Sequence, residues 1–178
     1  MKTPLLTNRW LVTLAIMAMA GYPLNATAGE SDVDPTVRAN LVTFDDLDFN
    51  VFTGQKWDEL HRSHSVGIIV HWPDGHITEG IDVHTRDLKN MFVYAPDTRI
   101  DVHPIKIGSG NLTAVMGIME GTFTEPMPTG NGNSIPPTGK AFKIAMVTIG
   151  RWNEDGAMDE EWLFWDNLTF MKQLGLAD

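Results

Sequence analysis

Apolar positions along the chain recur in two periods, first helical and later alternating. Val37, Leu41, Phe44, Leu47 and Val51 fall at helical spacing behind Asp34-Pro35. An N-cap residue followed by proline at the first helical position starts a helix, so the spacing predicts one over residues 35–52, ended by Gly54. Trp57 to His61 reads as a second, short helix, and Val66 to His71 as a short β-branched strand closed by the turn Pro73-Asp74-Gly75. Ile81, His84, Leu88, Met91 and Ala95 then share one helical face, and Pro96 stops that helix.

Beyond Pro96 the pattern is mainly strand: Thr98 to Ile107, Leu112 to Thr124, Phe142 to Trp152 and Ala157 to Trp165. Turns at Gly108-Ser109-Gly110-Asn111 and Asn153-Glu154-Asp155-Gly156 join neighbours in sequence, which favours antiparallel pairing. Helices early and strands late indicate an α+β fold rather than alternating α/β. In Leu112 to Thr124, Leu112, Ala114, Met116 and Ile118 form one face and Thr113, Val115, Gly117 and Met119 the other. Both faces are largely apolar, so the strand is expected to be central and covered twice, by helices on one side and by a second copy of the chain on the other. A sheet curved over helices leaves a pocket between them.

The first 28 residues stand apart. Lys2 and Arg9 precede an uncharged run of 11 residues from Trp10 to Ala20, and Ala26-Thr27-Ala28 is a small-x-small cleavage site. This is the pattern of a secretory signal peptide, and the run is too short for a spanning helix, which needs about 20 residues. Cleavage after Ala28 would release one domain, residues 29–178, to the periplasm or the exterior, with no stable membrane insertion. The leader holds two of the 13 basic residues and none of the 23 acidic ones, so the remainder carries a net charge of −12. Such a surface repels phosphate backbones and argues against nucleic acid as a partner. There is no cysteine, which removes thiol catalysis and thiolate metal sites.

Several segments carry a family resemblance. Ile135-Pro136-Pro137-Thr138-Gly139-Lys140, the strand after it, Glu160-Glu161-Trp162-Leu163-Phe164-Trp165-Asp166-Asn167 and Met171-Lys172-Gln173-Leu174-Gly175-Leu176 resemble the SnoaL-like polyketide cyclases. His71-Trp72-Pro73-Asp74-Gly75 and Gly121-Thr122-Phe123-Thr124 resemble the predicted ester cyclases among their bacterial relatives. The resemblance covers about residues 36–176. It implies the α+β cone of the nuclear-transport-factor-2-like superfamily, with three helices on a strongly curved sheet around a deep pocket, and dimers formed through the sheet. It also implies an acid/base aspartate on the last strand and a histidine on the strand before. In this sequence those positions fall on Leu163 and Thr148, neither of which moves a proton in that way. The acidic residue that does match a family aspartate is Asp166.

Candidate chemistry therefore rests on other residues. His84 lies on an apolar helix face, either as a pocket-lining base or as a core histidine bonded to a backbone carbonyl, and His71 ends a strand where site residues concentrate. Alternation puts Glu161, Leu163 and Trp165 on one face of the last strand and Trp162, Phe164 and Asp166 on the other. The resemblance turns the Leu163 face inward, although a bulge near the strand end could bring Asp166 in. His71 and His84 are the expected proton carriers, with Glu161 or Asp166 as partner. Trp72, Trp162, Trp165, Met91, Met116, Thr148 and Leu163 are the expected substrate-binding walls. His61 and His64 have helix spacing for a metal pair but no third ligand, and a solvated helix end is favoured, so no metal is expected. His76 belongs to a solvated turn, and His103 either lines the pocket or pairs at the surface.

The proline-rich stretch Glu125 to Thr138 is a candidate lid. The Gly-x-Ser-x-Gly elbow, phosphate loop and dinucleotide fingerprint are all missing, which disfavours serine-esterase and nucleotide chemistry, and no cofactor is expected. Two readings follow: a cofactor-independent enzyme acting by acid/base chemistry on a small apolar carbonyl or ester compound, or a module that binds a small molecule without converting it. For either, N-terminal sequencing of the exported protein is expected to begin at or near Gly29; retention of Met1 on membrane-bound material would contradict the leader reading.

Overall fold

The computed structural model describes residues 33–129 and 131–178, so the expected leader and its cleavage site lie outside the described residues. The chain order is α1 (Pro35–Asp46), a π-helical segment (Leu47–Phe52), a 3-10 segment (Trp57–Arg62), β1 (His64–His71), β2 (Ile77–Glu79), α2 (Ile81–Tyr94), β3 (Arg99–Ile100), β4 (Ile105–Ser109), β5 (Leu112–Thr122), β6 (Met127–Pro128), β7 (Ser134–Ile135), β8 (Ala141–Trp152), β9 (Met158–Trp165) and α3 (Asn167–Leu174). Among the described residues no helix is long and apolar enough to cross a membrane.

The main sheet runs β2-β1-β9-β8-β5-β3, with β4 also on β5. Its pairings are antiparallel except β1 with β9, which are parallel and whose register slips between His64 and Ile69. The α+β class read from the sequence is the observed one, but β5, expected to be central, lies one strand from the sheet edge, flanked by β8 on one side and by β3 and β4 on the other.

Three differences from the periodicity have physical causes. The first helix begins where expected, with the Asp34 carboxylate accepting from Thr36 N at 2.7 Å, but it widens at Leu47 into π turns closed by Thr53 N to Asp48 O. A wider turn presents more residues per revolution to one side, and here it buries Leu47, Asp48, Val51 and Phe52 together. The strand expected over Thr98 to Ile107 breaks at 101–104, where Pro104 offers no amide and His103 turns inward. A third helix, α3, follows β9; Asp166 caps its start, and Gly175, at φ 76°, ends it in the left-handed conformation.

The inner face of the sheet carries two apolar clusters. One centres on Phe44, Leu60, Val70, Trp152 and Leu163, the other on Phe52, Phe92, Phe123, Phe142 and Phe170. The small β6–β7 hairpin packs Met127 and Ile135 against the second cluster. Among the described residues no element packs on the outer face. Cross-strand rows Ile107, Ala114, Ile149, Trp162 and Ile105, Met116, Val147, Phe164 run across it, with Ile107 and Phe164 more than half exposed.

His103 pins the β3–β4 connection to the first helix. Its protonated ring donates from Nδ1 to Asp45 Oδ1 and from Nε2 to Asp48 Oδ2, both at 2.8 Å, while Lys106 pairs with Asp45. Gly117 makes room for this clamp, since a Cβ there would lie 3.1 Å from Ile100 Cγ2 and 3.5 Å from the His103 ring. Burial pulls the His103 pKa down, but the two carboxylates outweigh it and the net shift is upward. Asp45, opposed by burial, is held low by Lys106 and His103.

The raised imidazole contributes stability in full below its unfolded-state pKa, about 6.5, and loses it as pH rises through the folded value. The depressed Asp45 contribution is lost at the other end, as pH falls through its folded value. His103→Gln is expected to cost roughly 3 kcal/mol in denaturant titrations between those limits. The gap between variant and parent should narrow as pH climbs past the folded pKa of His103; a gap constant from pH 5 to 9 would contradict the clamp's charge.

Candidate functional site

One cavity opens between the helices and the inner face of the sheet. Phe44, Leu47, Phe52, Leu88, Met91, Ile100, Met119, Met146, Leu163 and Trp165 make its walls apolar. Its free volume is about 50 Å³, far below the roughly 300–1,000 Å³ of pockets for drug-sized ligands. The deep pocket expected from the resemblance is thus a narrow one, with room for a few waters or a compact ligand.

The polar side chains on this cavity are few. Glu161, from β9, stands 3 % exposed between His64 at the start of β1 and His84 in the first turns of α2, each 2 % exposed. His84 Nε2 lies 3.1 Å from Glu161 Oε1, and His64 Nε2 lies 3.7 Å from Oε2. The imidazole centroids are 5.0 Å apart. Neither Glu161 Oε1 nor His64 Nε2 has a hydrogen-bond partner, so the 3.1 Å contact is close without being aligned as a hydrogen bond. Burial pushes His84 down to about 4, against the opposing pull of Glu161, so its ring is neutral at ordinary pH. Burial would raise Glu161, but the two histidines beside it bring the net shift below the usual carboxylate range.

Asp48 also lines the cavity, from the π-helical segment. Burial pushes its pKa up, with His103 pulling the other way. Burial thus favours a proton on Asp48, and the carboxylates favour one on His103. Thr148 Oγ1 is the remaining hydroxyl on the wall, paired in register with Leu163.

Of the residues singled out from the sequence, His84, Glu161, Trp72, Trp165, Met91, Thr148 and Leu163 line this cavity. Four others do not. His71 faces the opposite side of β1, because Ile68 and Val70 take the inward positions; it bonds Glu160 Oε1 at 2.7 Å and stacks on Trp162. Trp162 is on that outer face for the same reason of alternation, between inward Glu161 and Leu163. Met116 is on the outer face of β5, opposite Ile105 and Val147. Asp166 lies beyond β9 and spends both carboxylate oxygens capping α3, on Thr169 N at 3.0 Å and Thr169 Oγ1 at 2.6 Å. The bulge that might have turned it inward is at the other end of the pairing, by Trp152.

None of the described residues of the 125–138 stretch lines the cavity, so the expected lid is a hairpin packed beside α2. The His61–His64 pair is not formed either: His61 is exposed and bonded to Asp58 O, while His64 is inside a strand. Asp48 carries no expectation from the sequence, and spacing alone puts neither His64 on the cavity nor His103 between Asp45 and Asp48. Asp48 shares the helical face of Phe44 and Val51, and His64 shares the parity of Ile68 and Val70, so a signal existed for both.

An α+β cone with helices over a mainly antiparallel sheet and an apolar cavity with a polar end defines a small-molecule-handling fold. The chain matches the SnoaL-like polyketide cyclase family over residues 47–174 and belongs to it. Among solved structures it is similar to a candidate SnoaL-like polyketide cyclase from Jannaschia sp. CCS1, with 21% identity, 83% of this chain and 99% of that one covered, and a TM-score of 0.71. It is also similar to IdmH, a candidate polyketide cyclase from Streptomyces antibioticus, with 21% identity, 76% and 98% coverage and a TM-score of 0.64. A candidate polyketide cyclase from Acidithiobacillus ferrooxidans aligns at 17% identity over 82% of this chain and 99% of that one, with a TM-score of 0.63. At these identities the likeness is one of fold. No curated protein sequence matches the chain.

Proposed function

We propose that this is an exported enzyme of the SnoaL-like type that works without an organic cofactor on a compact, mostly apolar carbonyl or ester compound. The observation that carries the reading is the buried Glu161 carboxylate, set between two imidazoles at the polar end of an apolar cavity. Apolar walls give a small substrate most of its binding energy, while a few placed polar groups orient it. The His64–His84–Glu161 cluster is the basic centre, supplying lone pairs where a proton leaves the substrate. Asp48, on the cavity wall and hydrogen-bonded to His103, is the acid that meets the oxygen on which charge develops. Leu163 and Thr148 occupy the positions where the family's acid/base pair is expected, so the aldol cyclisation of the polyketide cyclases is not carried over.

A thermal-shift screen of small ketones, lactones and esters provides ligands, since a compound that binds only the folded state raises its apparent stability. With a ligand that is converted, Glu161→Gln, which keeps the shape and removes the charge, is expected to lower turnover by about a hundredfold or more. Turnover at the parent rate would remove Glu161 from the chemistry. Compounds that bind with altered tryptophan fluorescence, yet none of which is converted, would favour the binding-module reading.

The dimer belongs to the same proposal. A second copy is the occupant proposed for the uncovered sheet face, whose two apolar rows end in Phe164 and Ile107 and whose use in dimers the family resemblance implies. Light scattering at micromolar concentration is expected to give the mass of two chains, and Phe164→Lys the mass of one. A monomeric parent would contradict it.

A further inference from the structure

We infer that His64, His84 and Glu161 form a binding site for a divalent first-row transition-metal ion. The sequence reading paired His64 only with His61 and expected no metal; the fold instead joins it to residues from α2 and β9. One ligand atom from each of the three side chains lies within 4.8 Å of the others, and all three side chains are buried. Two imidazole nitrogens and one carboxylate are a ligand set for such ions, leaving coordination positions for water or substrate. The vacant side is the apolar cavity, whose 50 Å³ matches a few ligating waters better than a bulky compound.

Two further observations point to a cation rather than a hydrogen-bonded cluster. The first is the orientation of His64. Ser63 Oγ donates to Leu60 O at 3.2 Å, so its single proton is committed, and the contact of 2.9 Å with His64 Nδ1 is one in which Nδ1 donates. In the neutral ring that leaves Nε2 as a lone pair aimed toward a carboxylate, an arrangement that calls for a positive charge between them. Holding the far nitrogen by a hydrogen bond is how proteins orient a metal-ligating histidine. Ser63 is itself fixed, its carbonyl accepting from Met158 N at 2.7 Å. The second is the set of unpartnered atoms. His64 Nε2 and Glu161 Oε1 are both buried with no hydrogen-bond partner, although potential partners are close by. Buried polar atoms are nearly always satisfied, so lone pairs that converge without bonding each other mark a place for a shared third party.

The inference rests on the reading above only for the location of the chemistry. With a cation bound, Glu161 is a ligand, and the basic centre becomes a water on the cavity side, acidified by the ion.

Binding can be measured without any substrate. The chelator-treated protein is titrated with Co²⁺, followed by its visible absorption, and with Zn²⁺ by calorimetry. The expected result is one ion per chain with a rise in thermal stability. His84→Gln and Glu161→Gln are each expected to weaken binding at least about tenfold, and His71→Gln, on the outer face, to leave it unchanged. Thermal unfolding of each metal-free variant shows whether it is folded. If a variant does not fold, His64→Gln takes its place, and the Co²⁺ absorption of the parent, which reports nitrogen ligands and coordination number, decides independently. No stoichiometric binding by the parent, or binding that survives loss of Glu161 in a folded variant, overturns the metal site. Should Glu161→Gln abolish turnover in a protein that binds no metal, the enzyme reading stands and this inference falls. Should metal bind while Glu161→Gln converts substrate at the parent rate, the reverse holds.

Discussion

The structure depends on keeping a carboxylate inside an apolar wall. Removing an isolated charge from water costs several kcal/mol even after relaxation, so Glu161 is tenable only with positive charge or donors beside it. His64 and His84 flank it from two different elements, where a shared cation would meet that requirement, and their placement explains features that would otherwise look arbitrary. β1 slips register next to His64, letting that residue reach inward before the regular pairing of Ile69 with Glu160 takes over. The α2 helix starts immediately after β2, so His84 is delivered in its first turns beneath Trp72. Across the cavity, Asp48 needs the same kind of support and obtains it from His103.

Helix and strand existence were legible in the sequence wherever the apolar period was long. α1, α2, β5, β8 and β9 fall where the spacing puts them. What was not legible were deviations from a period. The π turns after Asp46 keep an apolar pattern that a regular helix also satisfies, and the break at 101–104 depends on His103 finding Asp45 and Asp48, which are distant in the sequence. For the site, strand parity was informative at Glu161, Leu163 and Trp165, and the helical face at His84 and Met91. Parity needs an anchor, however. His71 was placed by its position at a strand end, and the parity of Val70 would have turned it outward. His64 was read as helical because of its spacing from His61, yet Ser63 ends the 3-10 segment and the strand begins at the next residue.

Leu163 and Thr148 sit side by side on the cavity wall, where the family resemblance leads one to look for an acid/base pair. Glu161 is two residues earlier on the same face of the same strand. The buried carboxylate thus stands one inward position along β9 from Leu163, beside an apolar wall and a hydroxyl. A shared architecture does not fix which wall positions carry the chemistry, since one fold hosts many.

The parallel pairing of β1 with β9 has a consequence for how the molecule assembles. Its two strands come from opposite ends of the domain, with β2 to β8 made in between, so His64 and Glu161 are brought together only by one of the longest loop closures in the chain. Closing so long a loop costs more chain entropy than closing local hairpins such as β4–β5 and β8–β9. A chain emerging from its N-terminus first therefore carries both histidines from residue 84 until residue 161 without a site. The moment at which the last strand docks is also the moment at which the cavity acquires its charge.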